Sequence, residues 1–148
     1  MDGSIKMKDI DLAKATLNDK NLSLVIVKDG QIIYESDGRG IYPLYMAVKK
    51  CGDDMKDASA ADKVIGRGAA RLYKFSGIKS IFAYLISEGT KEVLIESNIA
   101  FETEKTVPFI KNREGTGMCP VETLSYESET FDDLMKRIEA FLKQIKLV

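Results

Sequence analysis

Apolar residues recur along this chain with two different spacings, one typical of helices and one typical of strands. Helical spacing predicts helices over residues 5–18, 41–51, 60–75 and 89–97, and a last helix that follows Thr130. Short apolar or β-branched runs predict strands over residues 22–28, 31–35, 81–86 and 106–110. The predicted order is therefore helix, hairpin, helices, strand, helix, strand and helix.

Turn and cap residues support several of these boundaries. Asp29-Gly30 separates the first two strands and is a strong hairpin signal. Gly52 ends the second helix, and Thr130 with Asp133 resembles a capping box at the start of the last one. Pro108 places the last strand at a sheet edge or a strand end. One layered α/β or α+β domain spanning residues 1–148 fits this order.

Composition and charge exclude several classes of function. The 148 residues are 45% hydrophobic and 30% charged, which is ordinary for a globular protein. A net charge of −1 provides no basic field, so no nucleic-acid partner is indicated. No apolar run approaches the roughly 20 residues of a membrane helix. The first residues lack the apolar stretch of a signal peptide, and we expect a cytoplasmic location without a membrane partner.

The content of cysteine and histidine limits the possible catalytic chemistry. Cys51 and Cys119 lie too far apart in the sequence to form a disulfide framework of the small secreted kind. The chain contains no histidine, which excludes Ser-His-Asp and Cys-His catalysis within it.

The first candidate site is the stretch from Asp62 to Ala70. Asp62 is predicted in the first turn of a helix, where a carboxylate is stabilised by the helix dipole. Asp62 and Lys63 would then border a pocket, since a helix start with small residues nearby can receive an anion. Alternatively, the stretch is a charged helix start followed by a tightly packed helix, with Gly66 and Gly68 admitting another backbone or a ligand.

The second candidate site covers residues 113–122. Arg113 can bind a phosphate or carboxylate with two hydrogen bonds, and Cys119 precedes a predicted helix whose dipole would lower the thiol pKa. Glu122 would orient a substrate or act as a base. Alternatively, the stretch is an ordinary loop leading into a helix, and Glu122 is solvated in the first turn. The ligand-binding candidates are Lys63, Arg113, Gly115, Thr116, Gly117 and Glu122, and the catalytic candidates are Asp62 and Cys119.

These two motifs carry a resemblance to a known family. Asp62-Lys63, Gly66 and Ala69-Ala70, together with residues 112–120, resemble an uncharacterised prokaryotic family of unknown function that has a divergent cytidine deaminase-like fold. The resemblance covers residues 22–122, leaving a helix at each end. It implies a three-layer α-β-α sandwich with a mixed sheet, and it makes a homo-oligomer an expectation.

The resemblance also implies what the protein lacks. Zinc deaminases carry a His or Cys with a catalytic Glu at the start of the helix after the hairpin, and a Pro-Cys-x-x-Cys at the next helix start. We assign these places to residues 60–63 and 87–90, which read Ala-Ala-Asp-Lys and Ser-Glu-Gly-Thr. Because neither place holds a zinc ligand set, we expect no zinc and no other cofactor.

Our functional hypothesis is a zinc-independent, deaminase-like domain that binds a small anionic or nucleotide-like molecule. Lys63 and Arg113 would hold the anion, and Asp62 would meet a polar edge such as a ribose hydroxyl. Two alternatives remain open. One is an enzyme that uses Cys119 as a nucleophile or redox thiol, and the other is a pseudoenzyme that acts through a protein partner.

Overall fold

A computed structural model describes residues 7–112 and 114–148 of the chain. The helices are α1 (Asp9–Asp19), α2 (Tyr42–Cys51), α3 (Arg67–Ser76), α4 (Glu88–Glu96), α5 (Pro120–Glu127) and α6 (Phe131–Gln144). The strands are β1 (Leu24–Lys28), β2 (Gln31–Ser36), β3 (Ser59–Ile65), β4 (Ser80–Ser87) and β5 (Ala100–Val107). A short 3₁₀ helix, Gly52–Met55, follows α2. Within the described ranges, no helix is long and apolar enough to cross a membrane.

The five strands form one mixed sheet in the order β2-β1-β3-β4-β5. The β1–β2 hairpin is antiparallel, and β1 also pairs antiparallel with β3. Strands β3, β4 and β5 run parallel, and α3 and α4 connect them. From β1 to β5 the chain therefore runs hairpin, helix, strand, helix, strand, helix and strand, with one more strand than the sequence predicted because residues 59–65 form a strand.

Helices cover both faces of the sheet and produce the three-layer α-β-α sandwich that we predicted. Helix α1 packs on one face through Ala13 and Leu17, which meet Val25, Val27 and Phe82 of the strands. Helices α2, α3 and α4 pack on the other face around the larger core, and α5 and α6 pack against α3. The predicted α/β fold with a mixed sheet is therefore confirmed.

The turn and cap predictions are confirmed as well. Asp29 and Gly30 both have positive φ, 51° and 80°, as the tight turns of two-residue hairpins require. Gly52 follows the last residue of α2, and Pro120 opens α5. The Thr130 side chain accepts a hydrogen bond from the backbone N–H of Asp133 at the start of α6.

The predicted helix over residues 60–75 is wrong in its first half. Residues Ser59–Ile65 form β3, a central strand that pairs with β1 and β4, and α3 begins only at Arg67. Alanines favour helices in isolation, but here Ala60 and Ala61 are fully buried between the two helical layers, where small side chains let the layers approach the sheet. Asp62 therefore lies in a strand and gains nothing from a helix dipole.

This correction also changes which residues occupy the two helix starts where zinc deaminases carry their ligands. The helix after the hairpin is α2, which begins at Tyr42, and the next is α3, which begins at Arg67. The assignment of these places to residues 60–63 and 87–90 was therefore wrong. Residues 38–42 and 65–68, which stand at the true helix starts, contain no Cys or His.

The last strand begins earlier than predicted. It spans Ala100–Val107 instead of residues 106–110, and it forms one edge of the sheet. The alternation of the less exposed Phe101 and Thr103 with the exposed Glu102 and Glu104 is the strand signal that the prediction missed. Pro108 directly follows the strand, since it cannot donate a ladder hydrogen bond.

Candidate functional site

A cavity of about 830 Å³ opens at the carboxyl end of β3. It is enclosed by the residue before β1, the approach to α2 and its first turn, the end of β3 and the start of α3. The loop that leads into α5, the first turn of α5 and the end of α6 complete the wall. Its charged lining residues are Arg39, Asp62, Lys63, Lys111, Glu114 and Glu122, and its apolar ones include Ile41, Leu44, Val64, Ile110, Phe141 and Leu142. The carboxyl ends of strands are where open α/β sheets most often bind ligands.

The cavity brings together four of the candidate residues from the two sequence motifs. Asp62 and Lys63 line it from β3, and Cys119 and Glu122 line it from the start of α5. The candidates Gly115, Thr116 and Gly117 lie in the adjoining loop and are not among its lining residues. Arg113 lies outside the described residues.

Asp62 is the most perturbed ionisable group in the cavity wall. The residue is half-buried, and its carboxylate Oδ2 accepts a hydrogen bond of 2.9 Å from the hydroxyl of Tyr73 on α3. Burial raises the pKa of Asp62 from 3.8 to about 7, although hydrogen bonds from Tyr73 and from the backbone oppose that rise. Asp62 can therefore change its protonation state near neutral pH.

Glu122 is a buried carboxylate that faces the start of α3. It is only 2% exposed, and its Oε1 accepts a hydrogen bond of 3.1 Å from the backbone N–H of Arg67. A carboxylate at a helix start satisfies an otherwise unpaired N–H and is stabilised by the helix dipole. The prediction of a solvated Glu122 was wrong, because α5 packs its first turn directly onto α3.

Two arginines of α3 bind the other end of α5. Nη1 of Arg67 donates to the carbonyl oxygen of Ser125 at 2.7 Å, and its guanidinium stacks on the ring of Tyr126. Nη1 of Arg71 donates to the carbonyls of both Ser125 and Ser128. Since a helix leaves its last carbonyls unpaired, these cations satisfy the end of α5 and hold it against α3.

Gly68 makes the close packing of α5 on α3 possible. A Cβ atom at this position would lie 2.6 Å from Cγ1 of Val121 and 3.1 Å from the Val121 carbonyl oxygen. This agrees with the interpretation that a glycine in this segment admits another backbone, which here is α5. Through this packing, α3 holds Cys119 and Glu122 beside the cavity.

We expect Gly68→Ala to destabilise the protein by about 1–2 kcal/mol, because overpacking against the stiff Val121 outweighs the gain of up to about 1 kcal/mol in helix propensity. Urea denaturation measures the change. Gly117→Ala is the matched control, since a Cβ there would meet no atom closer than 3.9 Å. Equal stability of the two variants would contradict the packing role of Gly68.

The loop that joins β5 to α5 is closed by its own hydrogen bonds. The side-chain oxygen of Asn112 accepts from the backbone N–H of Thr116 at 3.0 Å, and its amide donates to the Thr116 hydroxyl. Gly115 has a φ of 72°, the left-handed conformation that favours glycine. These contacts explain Gly115 and Thr116 as residues that shape the loop, and their predicted ligand contacts stay a prediction.

The basic side chains of the cavity differ in how they are engaged. Nζ of Lys63 donates to the side-chain oxygen of Asn21 at 3.1 Å. Arg39 and Lys111 are exposed, and neither forms an ion pair with another described residue. Arg39 and Lys111 are therefore better placed than Lys63 to meet an anion.

Cys119 is a half-buried free thiol and the N-cap residue of α5. Its backbone N–H donates to the carbonyl oxygen of Ile110 at 2.7 Å, which ties the start of the helix to the preceding loop. Its role as a nucleophile or redox thiol stays a prediction. Within the described part of the chain, no group of three or more His, Cys, Asp or Glu residues could hold a metal ion.

Sequence reasoning missed three residues of this site: Tyr73, Arg39 and Lys111. Tyr73 lies three and four positions after the buried Ala70 and Ala69, so a helix start at Arg67 would have placed it on the buried face. The run from Val64 to Gly66, two β-branched residues followed by glycine, carried that signal. Arg39 and Lys111 lie in loops, and nothing in their local sequence predicts that both line the same cavity.

A comparison with protein families identifies the family of this chain. A family model described as a domain of unknown function (DUF1893) matches residues 12–142. The chain belongs to the DUF1893 family. The solved structure of a DUF1893 family protein from Thermotoga maritima is 26% identical to this chain, covers 95% of it over 92% of its own length, and has a TM-score of 0.77. The predicted membership of an uncharacterised family is therefore confirmed.

Two further solved structures are similar to a part of this chain. Acinetobacter baumannii RibD is 20% identical over 57% of this chain and 28% of its own, with a TM-score of 0.46. A Thermotoga maritima diaminohydroxyphosphoribosylaminopyrimidine deaminase/5-amino-6-(5-phosphoribosylamino)uracil reductase is 21% identical over 56% of this chain and 29% of its own, with a TM-score of 0.44. No curated protein is significantly similar to this chain.

Proposed function

We propose that this DUF1893 protein binds a small anionic, nucleotide-like molecule in the cavity at the end of β3. The observation that supports it best is the mixed lining, in which basic side chains, the half-buried Asp62, the buried Glu122 and an apolar wall surround one space. Its volume of about 830 Å³ lies within the range of small-molecule sites. No zinc or other cofactor is part of this proposal.

Each part of the lining suits one part of such a ligand. Arg39 and Lys111 are exposed cations and would meet a phosphate, with Lys63 joining them if it leaves Asn21. Ile41, Leu44 and Phe141 offer apolar surface to a planar ring. Asp62 would accept a hydrogen bond from a polar edge of the ligand, such as a ribose hydroxyl.

Thermal unfolding in the presence of AMP, CMP, GMP, UMP or inorganic phosphate tests this proposal. We expect at least one nucleotide to raise the melting temperature, because a ligand at 100 times its dissociation constant stabilises the folded state by about 2.7 kcal/mol. The Arg39→Ala/Lys111→Ala double variant is expected to lose most of that rise. Native mass spectrometry of the freshly purified protein would reveal a ligand that is retained from the cell.

Lys91→Ala is the matched control, since Lys91 is an exposed cation on α4 that does not line the cavity. It is expected to keep the full shift. The proposal fails if none of the four nucleotides raises the melting temperature, or if the double variant responds like the wild type. An equal rise in melting temperature with inorganic phosphate alone would mean that the site binds a simple anion and does not recognise a nucleotide.

A further inference from the structure

The carboxylate of Asp62 is partly buried without a cationic partner among the described residues. None of the ion pairs between described residues includes it. The nearest basic residue along the chain, Lys63, points its ammonium to Asn21. Because burying a charge without a partner costs free energy, a carboxylate at this position destabilises the folded protein when it is ionised, which points to a functional role.

Tyr73 holds one oxygen of that carboxylate in place. Its side chain is fully buried on α3, and its hydroxyl donates to Oδ2 of Asp62 at 2.9 Å. The other oxygen, Oδ1, accepts a long hydrogen bond of 3.4 Å from the backbone N–H of Val64, and the backbone N–H of Lys63 also favours the ionised carboxylate. Because Asp62 lines the cavity, Oδ1 is the oxygen left for a molecule that binds there.

We propose that Asp62 exchanges a proton with the molecule bound in the cavity, and that Tyr73 is the positioning residue that holds Asp62 for this step. The inference rests on the proposed function, since it needs an occupied cavity. It adds that the ligand is a substrate or effector with a weakly acidic N–H or O–H group.

The step is balanced as a simple proton transfer. Oδ1 of Asp62 takes the proton as the N–H or O–H bond of the bound molecule breaks, and the electron pair stays on the nitrogen or oxygen. The reverse transfer restores the carboxylate. Tyr73 keeps its phenolic proton throughout, because burial and the neighbouring Asp62 raise its pKa well above 10.

Other ionisable groups surround Asp62 without pairing with it. Arg39 reaches the cavity from the approach to α2, Lys63 from β3 itself, and Lys111, Glu114, Cys119 and Glu122 from the segment that leads into α5. Burial is the largest influence on Asp62 and raises its pKa to about 7. A carboxyl group in this range both accepts and releases a proton at neutral pH, which efficient acid–base catalysis requires.

Carbodiimide labelling tests the proposal on the ligand-free protein. The carbodiimide activates protonated carboxyl groups, glycinamide then forms a stable amide, and peptide mass spectrometry locates the label. At pH 6.5 we expect Asp62 to be labelled at least about tenfold more than Glu104, an exposed carboxylate on β5 that does not line the cavity. Labelling of Asp62 is expected to fall with a midpoint near pH 7.

Tyr73→Phe tests the positioning role. Loss of the phenolic donor removes a hydrogen bond that favours the carboxylate, and we expect the labelling midpoint of Asp62 to rise by about one pH unit. A purely structural role for Tyr73 would leave that midpoint unchanged. If this variant does not fold, the wild-type midpoint still decides the role of Asp62.

The two proposals fail in different ways. Labelling of Asp62 at or below the level of Glu104, or a midpoint near pH 4, overturns the proton-exchange site whatever the nucleotides do. If Asp62 is labelled as expected but AMP, CMP, GMP and UMP neither stabilise the protein nor protect Asp62, the nucleotide-like ligand is wrong and the proton-exchanging carboxyl stands. Protection by one of these nucleotides supports both.

Discussion

Arg71→Ala is expected to lower the free energy of unfolding by about 3 kcal/mol. Arg71 is 9% exposed, and its guanidinium donates to the carbonyls of Ser125 and Ser128 at the end of α5. Hydrogen bonds to a charged group contribute about 1.5–3 kcal/mol each, and the loss of Arg71 would leave the Ser128 carbonyl without this donor, while the Ser125 carbonyl keeps the one from Arg67. The truncation also opens a cavity between α3 and α5.

Urea denaturation of the wild type and of Arg71→Ala measures this loss. Arg137→Ala is the matched control, because Arg137 also pairs with two partners, Glu127 and Asp133, but on an exposed face of α6. Exposed ion pairs contribute about 1 kcal/mol or less, so its loss is expected to be small. Similar losses in the two variants would show that Arg71 does not hold α5 to α3.

The contacts of α5 show what local sequence patterns can predict and what they cannot. The start of α5 was predicted correctly, because a helix was expected directly after Cys119, and proline at the first helical position is a local signal. The contacts of Arg67 and Arg71 with this helix join residues more than fifty positions apart. No periodicity or cap signal reports such a pairing, because it arises only when α5 folds back onto α3.

The central strand β3 shows a local pattern that predicted the wrong element. Ala60, Ala61 and Asp62 form helices more readily than strands, and the local pattern therefore predicted a helix. Burial between β1 and β4 overrides that preference, since β-propensity depends mainly on the surroundings of each side chain. The predicted place of Asp62 in the first turn of a helix was therefore wrong, but Asp62 does line the same cavity as Cys119 and Glu122.

The hydrogen bond between Asp62 and Tyr73 could not be predicted from the sequence either, because it depends on how a strand and a helix pack together. The two residues are eleven positions apart, on a strand and on the helix that follows it. Strand β3 ends at Ile65 and α3 begins at Arg67, so the single linking residue, Gly66, brings α3 back over β3 and places the phenol against the carboxylate. The pattern of apolar residues can predict a strand or a helix. It cannot predict which side chains of the two elements contact each other, because that depends on how they pack.

Asp62→Asn is expected to make the protein more stable at pH 8 than the wild type, by up to about 4 kcal/mol. Burial raises the pKa of Asp62 from 3.8 to about 7 in the folded protein, while the unfolded chain keeps the lower value. Between these pH values the folded state binds a proton that the unfolded state lacks, so the stability of the wild type falls as the pH rises. Asparagine has no charge to bury and still accepts the hydrogen bond from Tyr73.

Urea denaturation of both proteins at pH 5, 6, 7 and 8 checks this prediction. The difference in free energy of unfolding is expected to grow in favour of Asp62→Asn as the pH rises towards 7, and to level off above it. The upper limit of about 4 kcal/mol follows from about 1.4 kcal/mol for each pH unit between 3.8 and 7. Asp37→Asn, in the exposed segment before α2, is the matched control and is expected to follow the wild-type curve. Parallel curves for Asp62→Asn and the wild type would mean that Asp62 is ionised in both states, and both its raised pKa and its part in proton exchange would then be wrong.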